Sequence, residues 1–217
     1  MPDPTIPHHR PGIRPSTPAQ AWAELAAGNA RFMADERHHP HQDIHDRQKL
    51  TSKQRPFAIF FGCADSRVAA EIIFDQGLGD LFVVRTAGHV MDPSVLGSLE
   101  FGVGVLGCPL IVVLGHDSCG AVKAAIDASD TGSMPPGFLR DIVERITPSV
   151  ISARRAGRDD VKEIEREHVR ATCQLMRERS TSIAEAVQGG RLAIVGAEYD
   201  LAEGEARVVD VVGSIEH

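Results

Sequence analysis

The sequence predicts an α/β fold: a mostly parallel central sheet of four strands plus an antiparallel fifth, helices on both faces, and an N-terminal helical arm. Three observations carry this. Four short runs are apolar throughout instead of alternating, the pattern of strands buried on both faces. Stretches of helical periodicity separate them, which places the crossovers on the two faces of the sheet. A fifth β-branched run follows the fourth across a short Gly-containing turn, so it pairs with the fourth as a hairpin.

Each element has a local reason. Residues 1–17 hold five of the 13 prolines and read as an extended or disordered N-terminal arm, with residues 18–217 as a single α/β domain. Thr17-Pro18-Ala19-Gln20 starts a helix: Thr as N-cap, Pro in the first turn, Gln closing a capping box. Trp22, Leu25, Ala26, Ala30, Phe32 and Met33 then recur at roughly helical spacing. Residues 36–56 are polar, include His38, His39, His41 and His45, and read as loop with a short helix. The apolar strands are 57–62, 81–85, 110–115 and 192–196; the fifth, 207–212, follows Glu203-Gly204-Glu205. Helices are expected over 68–76, over 93–106 with Asp92 as N-cap and Pro93 behind it, and over 118–129, 137–155 and 160–187.

Composition excludes several classes. In 217 residues, 42% hydrophobic and 24% charged content is that of an ordinary soluble domain. A formal net charge of −7 argues against nucleic acid or an anionic membrane as partner. No apolar run approaches the length of a membrane helix, and the first residues lack the apolar stretch of a secretory signal. The expected location is cytoplasmic. The four cysteines, Cys63, Cys108, Cys119 and Cys173, then read as thiols, with no C-x-x-C among them.

Two of those thiols sit where ligands bind. In a parallel sheet, ligands lie beyond the carboxyl ends of the strands. Cys63-Ala64-Asp65-Ser66-Arg67 follows the first strand, and His116-Asp117-Ser118-Cys119-Gly120 follows the third. If those strands are neighbours, two thiols and one imidazole meet at one sheet edge. Two Cys and one His with a fourth open position is a known catalytic zinc set. Cys119 also begins a helix, whose dipole favours a thiolate. Asp65 and Arg67 are expected to pair, which keeps the carboxylate ionised beside the metal. Asp65 could orient a metal-bound water, or swing onto the ion as a fourth ligand and close the site. Cys108 and Cys173 have no His or acidic neighbour at ligand spacing and read as core or helix-face residues.

The pattern C-x-D-x-R followed about fifty residues later by H-x-x-C resembles the β-class carbonic anhydrases. Gly28-Asn29-Ala30-Arg31-Phe32 resembles that family's N-terminal helix, Arg85-Thr86-Ala87-Gly88 its Arg-Asn/Thr-Ala-Gly loop, and Leu114 to Gly120 its second ligand strand. The resemblance covers about residues 18–213 and is closest to bacterial, actinobacterial-style members. It implies reversible hydration of CO2 to bicarbonate and a proton through a zinc-bound hydroxide. One Zn2+ per subunit would be held by Cys63, His116 and Cys119, with Asp65 and Arg67 as the catalytic dyad. Gln54, Phe82, Phe101 and Gly120 would contact substrate, some from a neighbouring subunit of a homodimer or tetramer. The N-terminal helix, with no obvious place in a five-strand domain, is expected to pack on that second subunit. Bicarbonate-regulated members carry a Trp, an Arg and a Tyr; Arg85 and Tyr199 match, and Phe60 replaces the Trp. Two thiolates donate more charge than two imidazoles, so the bound water should be less acidic than in a three-His site and activity should favour alkaline pH.

Other readings start from the same residues. Asp65 held permanently on zinc would make a closed structural site. Hydrolysis of carbon disulfide or carbonyl sulfide would use the same constellation. Residues 102–107 spell G-x-G-x-x-G, but they precede a strand inside a helical stretch, so the dinucleotide reading is set aside. The histidines at 38–45 read as a solvated loop, the charge-rich run from Arg154 to Arg179 as a solvated amphipathic helix, and His89 as an ordinary loop histidine rather than a proton shuttle.

Overall fold

The computed structural model describes residues 14–216. Residues 1–13 of the expected arm lie outside the described residues. The helices are α1 (Pro18–Met33), α2 (Ile44–Lys49), α3 (Ala70–Ile73), α4 (Pro93–Gly104), α5 (Gly120–Thr131), α6 (Leu139–Arg155), α7 (Val161–Arg179) and α8 (Thr181–Gln188). The strands are β1 (Ala58–Cys63), β2 (Leu81–Thr86), β3 (Leu110–His116), β4 (Ala193–Tyr199) and β5 (Ala206–Val212). The sheet order is β2-β1-β3-β4-β5. The first three pairings are parallel and β4–β5 is antiparallel.

The apolar runs are explained by a layer on each face. Ala58, Phe60, Leu110, Val112, Leu114 and Val195 point to one side and pack with Ala21 and Leu25 of α1 and with Ile73 and Phe74. Ile59, Phe61, Ile111, Val113 and Ile194 point to the other and pack with α4, α7 and α8 through Leu99, Val169, Cys173, Met176 and Ile183. Strands covered on both faces have no side left for polar residues. A third cluster, built by α5, α6 and the start of α7, caps the carboxyl end of the sheet and includes Cys63 and Cys119. Residues 102–104 of the glycine-rich run end α4, ahead of β3, so no strand feeds them.

The N-terminal helix starts as its sequence indicates, with one change. Thr17 Oγ1 accepts from Gln20 N, but Gln20 Oε1 accepts from Ser16 N and not from Thr17 N. The premise that this helix has no place in its own domain is corrected. α1 lies on its own sheet, and buried Asn29 stitches it there. Asn29 Nδ2 donates to Ile73 O and Gly204 O, and its Oδ1 accepts from Ala206 N. One amide thereby satisfies three backbone groups that the chain would otherwise bury unpaired.

The helix expected over 160–187 is two helices. Ser180 breaks it with extended backbone, capping Ile183 N with its Oγ while donating to Glu100 Oε1 on α4 at 2.6 Å. A cap satisfied on both sides outcompetes one more helical turn. Ser180→Ala should therefore lower stability by about 1 kcal/mol without changing the fold. Urea unfolding followed by circular dichroism checks it: an unchanged midpoint would mean that the break at residue 180 does not rest on the cap.

Candidate metal centre

Parallel pairing of β1 with β3, in register from Ile59↔Ile111 to Gly62↔Leu114, brings the two strand ends side by side. Cys63 is the last residue of β1 and His116 the last of β3. Asp117 and Ser118 then turn the chain, Ser118 with φ of 56°, so that Cys119 caps the N-terminus of α5. The thiol sulfurs of Cys63 and Cys119 and a ring nitrogen of His116 lie within 4.8 Å of one another, all three residues buried. Among the described residues this is the one such grouping of potential metal donors.

The histidine is prepared for a metal. His116 Nδ1 donates to Asp117 O at 2.8 Å, which fixes the proton on Nδ1 and leaves the Nε2 lone pair free. Nε2 is buried and has no hydrogen-bond partner among the described residues, and a cation among the three donors would give it one. Burial works against a charge on His116, but Cys63, the Asp117 carbonyl and Asp65 together raise its pKa above the ordinary value. Cys63 is driven towards the thiolate chiefly by a hydrogen bond from Cys119, with further help from His116 and the backbone N–H groups of Asp65 and Gly88. The same contact pushes Cys119 upward, so the pair sheds its first proton from Cys63. A second thiolate beside the first calls for a cation. Two thiolates, one neutral imidazole and distances of this order suit tetrahedral zinc.

Asp65 stands at the edge of this cluster, its Oδ2 3.9 Å from His116 Nε2. Arg67 Nε donates to Oδ1 at 2.9 Å and Nη2 to Oδ2 at 2.7 Å, while Arg67 N also donates to Oδ1. This fork holds the Asp65 carboxyl well below the usual carboxylate range, against a smaller opposing effect of burial. Both of its oxygens are committed to Arg67. Arg85 fixes the turn beneath by donating to Cys63 O and Asp65 O.

The matched family agrees with this geometry. The carbonic anhydrase family model covers residues 58–206, from the start of β1 to the start of β5. The chain belongs to the carbonic anhydrase family. It is 57% identical over 200 residues to the carbonic anhydrase of Mycolicibacterium smegmatis, spanning 92% of this chain and 97% of that one. It is 55% identical over the same shares to carbonic anhydrase 2 of Mycobacterium tuberculosis. Among solved structures, a β-carbonic anhydrase of the fungal pathogen Aspergillus fumigatus superposes with a TM-score of 0.68 at 25% identity, covering 76% of this chain and 80% of that one. A chain from the structures of two tetrameric β-carbonic anhydrases of Sordaria macrospora shares the fold with the same TM-score at 23% identity, covering 85% of this chain and 93% of that one. The fold is that of the β-class carbonic anhydrases.

The structure distributes the sequence-derived residues unevenly. Cys63, Asp65, Arg67, His116, Cys119 and Gly120 share the carboxyl edge of the sheet, and a side chain added at Gly120 would meet open space. Gln54 lies exposed ahead of β1, on the far side of a strand about 17 Å long from Cys63. Phe82 pairs with Ile59, roughly 13 Å back along the sheet from the cluster. Its ring lies 6.0 Å from that of Phe101, which is 43% exposed on α4. Phe60 is buried edge-on against Phe74, and Tyr199 is buried beside His116 in the β3–β4 register.

Three residues near the metal cluster of this chain escaped the sequence reading. His89, read as an ordinary loop residue, is 2% exposed, edge-on to Phe61 and stacked 4.4 Å from His168. Burial holds both imidazoles below their ordinary pKa. The amphipathic reading of α7 holds for its outer side, but its inner face carries Glu165 and His168 among Ile164, Val169, Thr172 and Cys173. Glu165 Oε1 accepts from Cys119 N at 2.9 Å, and burial pushes its carboxyl up to about 7. The signal was available: residues 165 and 168 fall on the apolar stripe of their helix.

The thiols give a test of the centre. After chelation at pH 7, Cys63 should be the cysteine that iodoacetamide modifies first, because its lowered pKa leaves it a thiolate. Burial pushes Cys108 up to about 11 and raises Cys173 further, so both stay protonated and inert. Zinc should protect Cys63 completely. Peptide mass spectrometry reads the order, and early labelling of Cys108 or Cys173 would contradict it.

Proposed function

We propose that this chain catalyses the reversible hydration of CO2 to bicarbonate and a proton, with one zinc ion per subunit held by Cys63, His116 and Cys119. When bound, zinc supplies the Lewis acidity that ionises a water molecule near neutral pH. The observation that carries the reading is the position of Asp65: beside the free face of His116, ionised, and gripped by Arg67 through both oxygens. An ionised carboxylate only accepts hydrogen bonds. Asp65 therefore orients the nucleophile's hydrogen towards itself and leaves a lone pair for the carbon of CO2. Arg67 is the positioning residue that keeps Asp65 in this place. Its grip favours an open site over one closed by Asp65 as a fourth ligand. Gly120 leaves space beside Cys119 through which a small substrate reaches the centre. Buried apolar neighbours such as Val90 and Val122 keep the surroundings dry, which suits an apolar gas.

Self-association as a homodimer or tetramer belongs to the same proposal. β2 is an edge strand with at most partly buried side chains, and Phe101 on the adjoining α4 and Val105 just past its end are exposed. Gln54, Phe82 and Phe101 lie away from their own chain's metal cluster, so a role for them in substrate binding requires a second copy. We also place the protein in the cytoplasm. All four cysteines are free, as in a reducing compartment, and no helix among the described residues is long and apolar enough to cross a membrane.

Stopped-flow CO2 hydration per bound zinc, from about pH 6.5 to about pH 9, tests the proposal. The rate should rise with pH, because two thiolates make the bound water less acidic. Asp65 does not supply this dependence: its depressed pKa keeps it ionised across the whole range, and its pair with Arg67 weakens only as pH falls below the ordinary carboxylate value. Asp65→Asn should retain zinc and lose about 100-fold or more in kcat/KM. Zinc-loaded protein without hydration at any pH would overturn the proposal, and turnover of carbon disulfide or carbonyl sulfide in its place would reassign the substrate.

A further inference from the structure

Behind the metal cluster a buried polar chain runs inward from two outer helices. Ser149 on α6 and His168 on α7 are 3% and 4% exposed. Ser149 Oγ lies 3.0 Å from His168 Nδ1, and His168 Nε2 lies 2.8 Å from Gly88 O. A carbonyl only accepts, so the His168 proton sits on Nε2, and the Ser149 hydroxyl donates to Nδ1. Gly88 N in turn donates to Cys63 Sγ at 3.3 Å. Gly88 stands at φ of 62°, in the left-handed region, and a Cβ there would come within 2.8 Å of Ala121 Cβ and Ile146 Cδ1.

We infer that His168 is a positioning residue for the metal centre: through Gly88 it aims a backbone N–H at the Cys63 thiolate and thereby sets how strongly that sulfur donates to the metal. This inference rests on the zinc reading above. A packing role alone does not account for the arrangement. Both ring nitrogens of His168 are engaged in a buried site where an apolar side chain would fill the volume without needing partners. The bond to Gly88 spans 80 residues and, with the bond from Thr86 Oγ1 to Val90 O, fixes the three-residue turn that carries the Gly88 N–H. One helical turn earlier on the same face, Glu165 receives the N–H of Cys119. α7 thus supports the segments of both cysteines from one stripe, by a carboxylate at one and an imidazole at the other. His89 is stacked on His168, with neither of its ring nitrogens partnered among the described residues, and burial keeps the second imidazole neutral, as its donor and acceptor roles require.

An N–H donor lowers the energy of the sulfur lone pair that binds a metal. Its loss must raise that energy and shift the sulfur-to-metal charge-transfer absorption to longer wavelength. The test replaces zinc with Co2+ in the full chain and records the thiolate-to-cobalt band. His168→Leu should move the band to longer wavelength with one cobalt still bound. His168→Gln, which keeps an N–H near the Gly88 carbonyl, should return it towards the wild-type position. Ser149→Ala, which releases the imidazole tautomer, should move it in the same direction as His168→Leu by a smaller amount. An unmoved band in folded, cobalt-loaded His168→Leu overturns the inference. Should His168→Leu not fold, an unmoved band in Ser149→Ala overturns it. Wild-type protein that binds cobalt without any thiolate band overturns the metal centre itself, an outcome distinct from failure of the His168 role alone.

Discussion

Everything at the functional edge depends on the parallel pairing of β1 with β3. Cys63 and His116 are 53 positions apart, and hydrogen bonding between their strands makes them neighbours. The pairing is central in the sheet, with β2 outside β1 and β4 outside β3. Both strands are buried along their whole length, so their register is held by apolar packing on two faces. A slip of one residue would reverse every side chain and move Cys63 out of reach of His116. Metal affinity is therefore not built by the ligands alone but inherited from the core.

The groups that hold the donors are as specific as the donors themselves. Each donor has a named support: the Asp117 carbonyl for His116, Gly88 N–H for the Cys63 sulfur, and Glu165 for the backbone of Cys119. Asp65 has Arg67, and Arg85 holds the carbonyls on either side of the Cys63–Asp65 turn. These groups come from β2, α7 and the turns after β1, β2 and β3, so they are spread over nearly a hundred residues of chain, from Arg67 to Glu165. Supports of this kind orient ligands and tune the charge that reaches the metal. They also explain why charged residues sit on the buried stripe of α7, where transfer from water alone would exclude them.

Opposing electrostatic demands are separated in space. The two thiols and His116 lie in an apolar cluster with Val90, Val122 and Ile146, where a cation is the natural counter-charge. Asp65 and Arg67 sit at its rim, the guanidinium half open to solvent and the carboxylate turned inwards. Arg67 keeps the carboxylate ionised beside a site that would otherwise draw it in as a ligand. Under the proposed function, this ion pair favours an open centre over a closed one, and it acts from the solvent side, where it adds little to the stability of the fold.

By itself the sequence determined the architecture and the primary donors. Short continuous apolar runs fit strands covered on both faces, and Thr17, Asp92 and their following prolines mark helix starts by local chemistry. Cys63, His116 and Cys119 were legible because their spacing is local to two strand ends, and Asp65 and Arg67 because they are two residues apart. The break at Ser180 and the docking of α1 were decided in the tertiary structure: Glu100 and the backbone groups that hold Asn29 are distant in sequence, and no local pattern names them. The helical stripe pointed inward at Glu165 and His168, but no local pattern named their partners or marked His89 as buried. A histidine in a turn and a glutamate on a charge-rich helix look solvated until the packing of α7 on the sheet removes their water and forces each to find a partner or stay neutral.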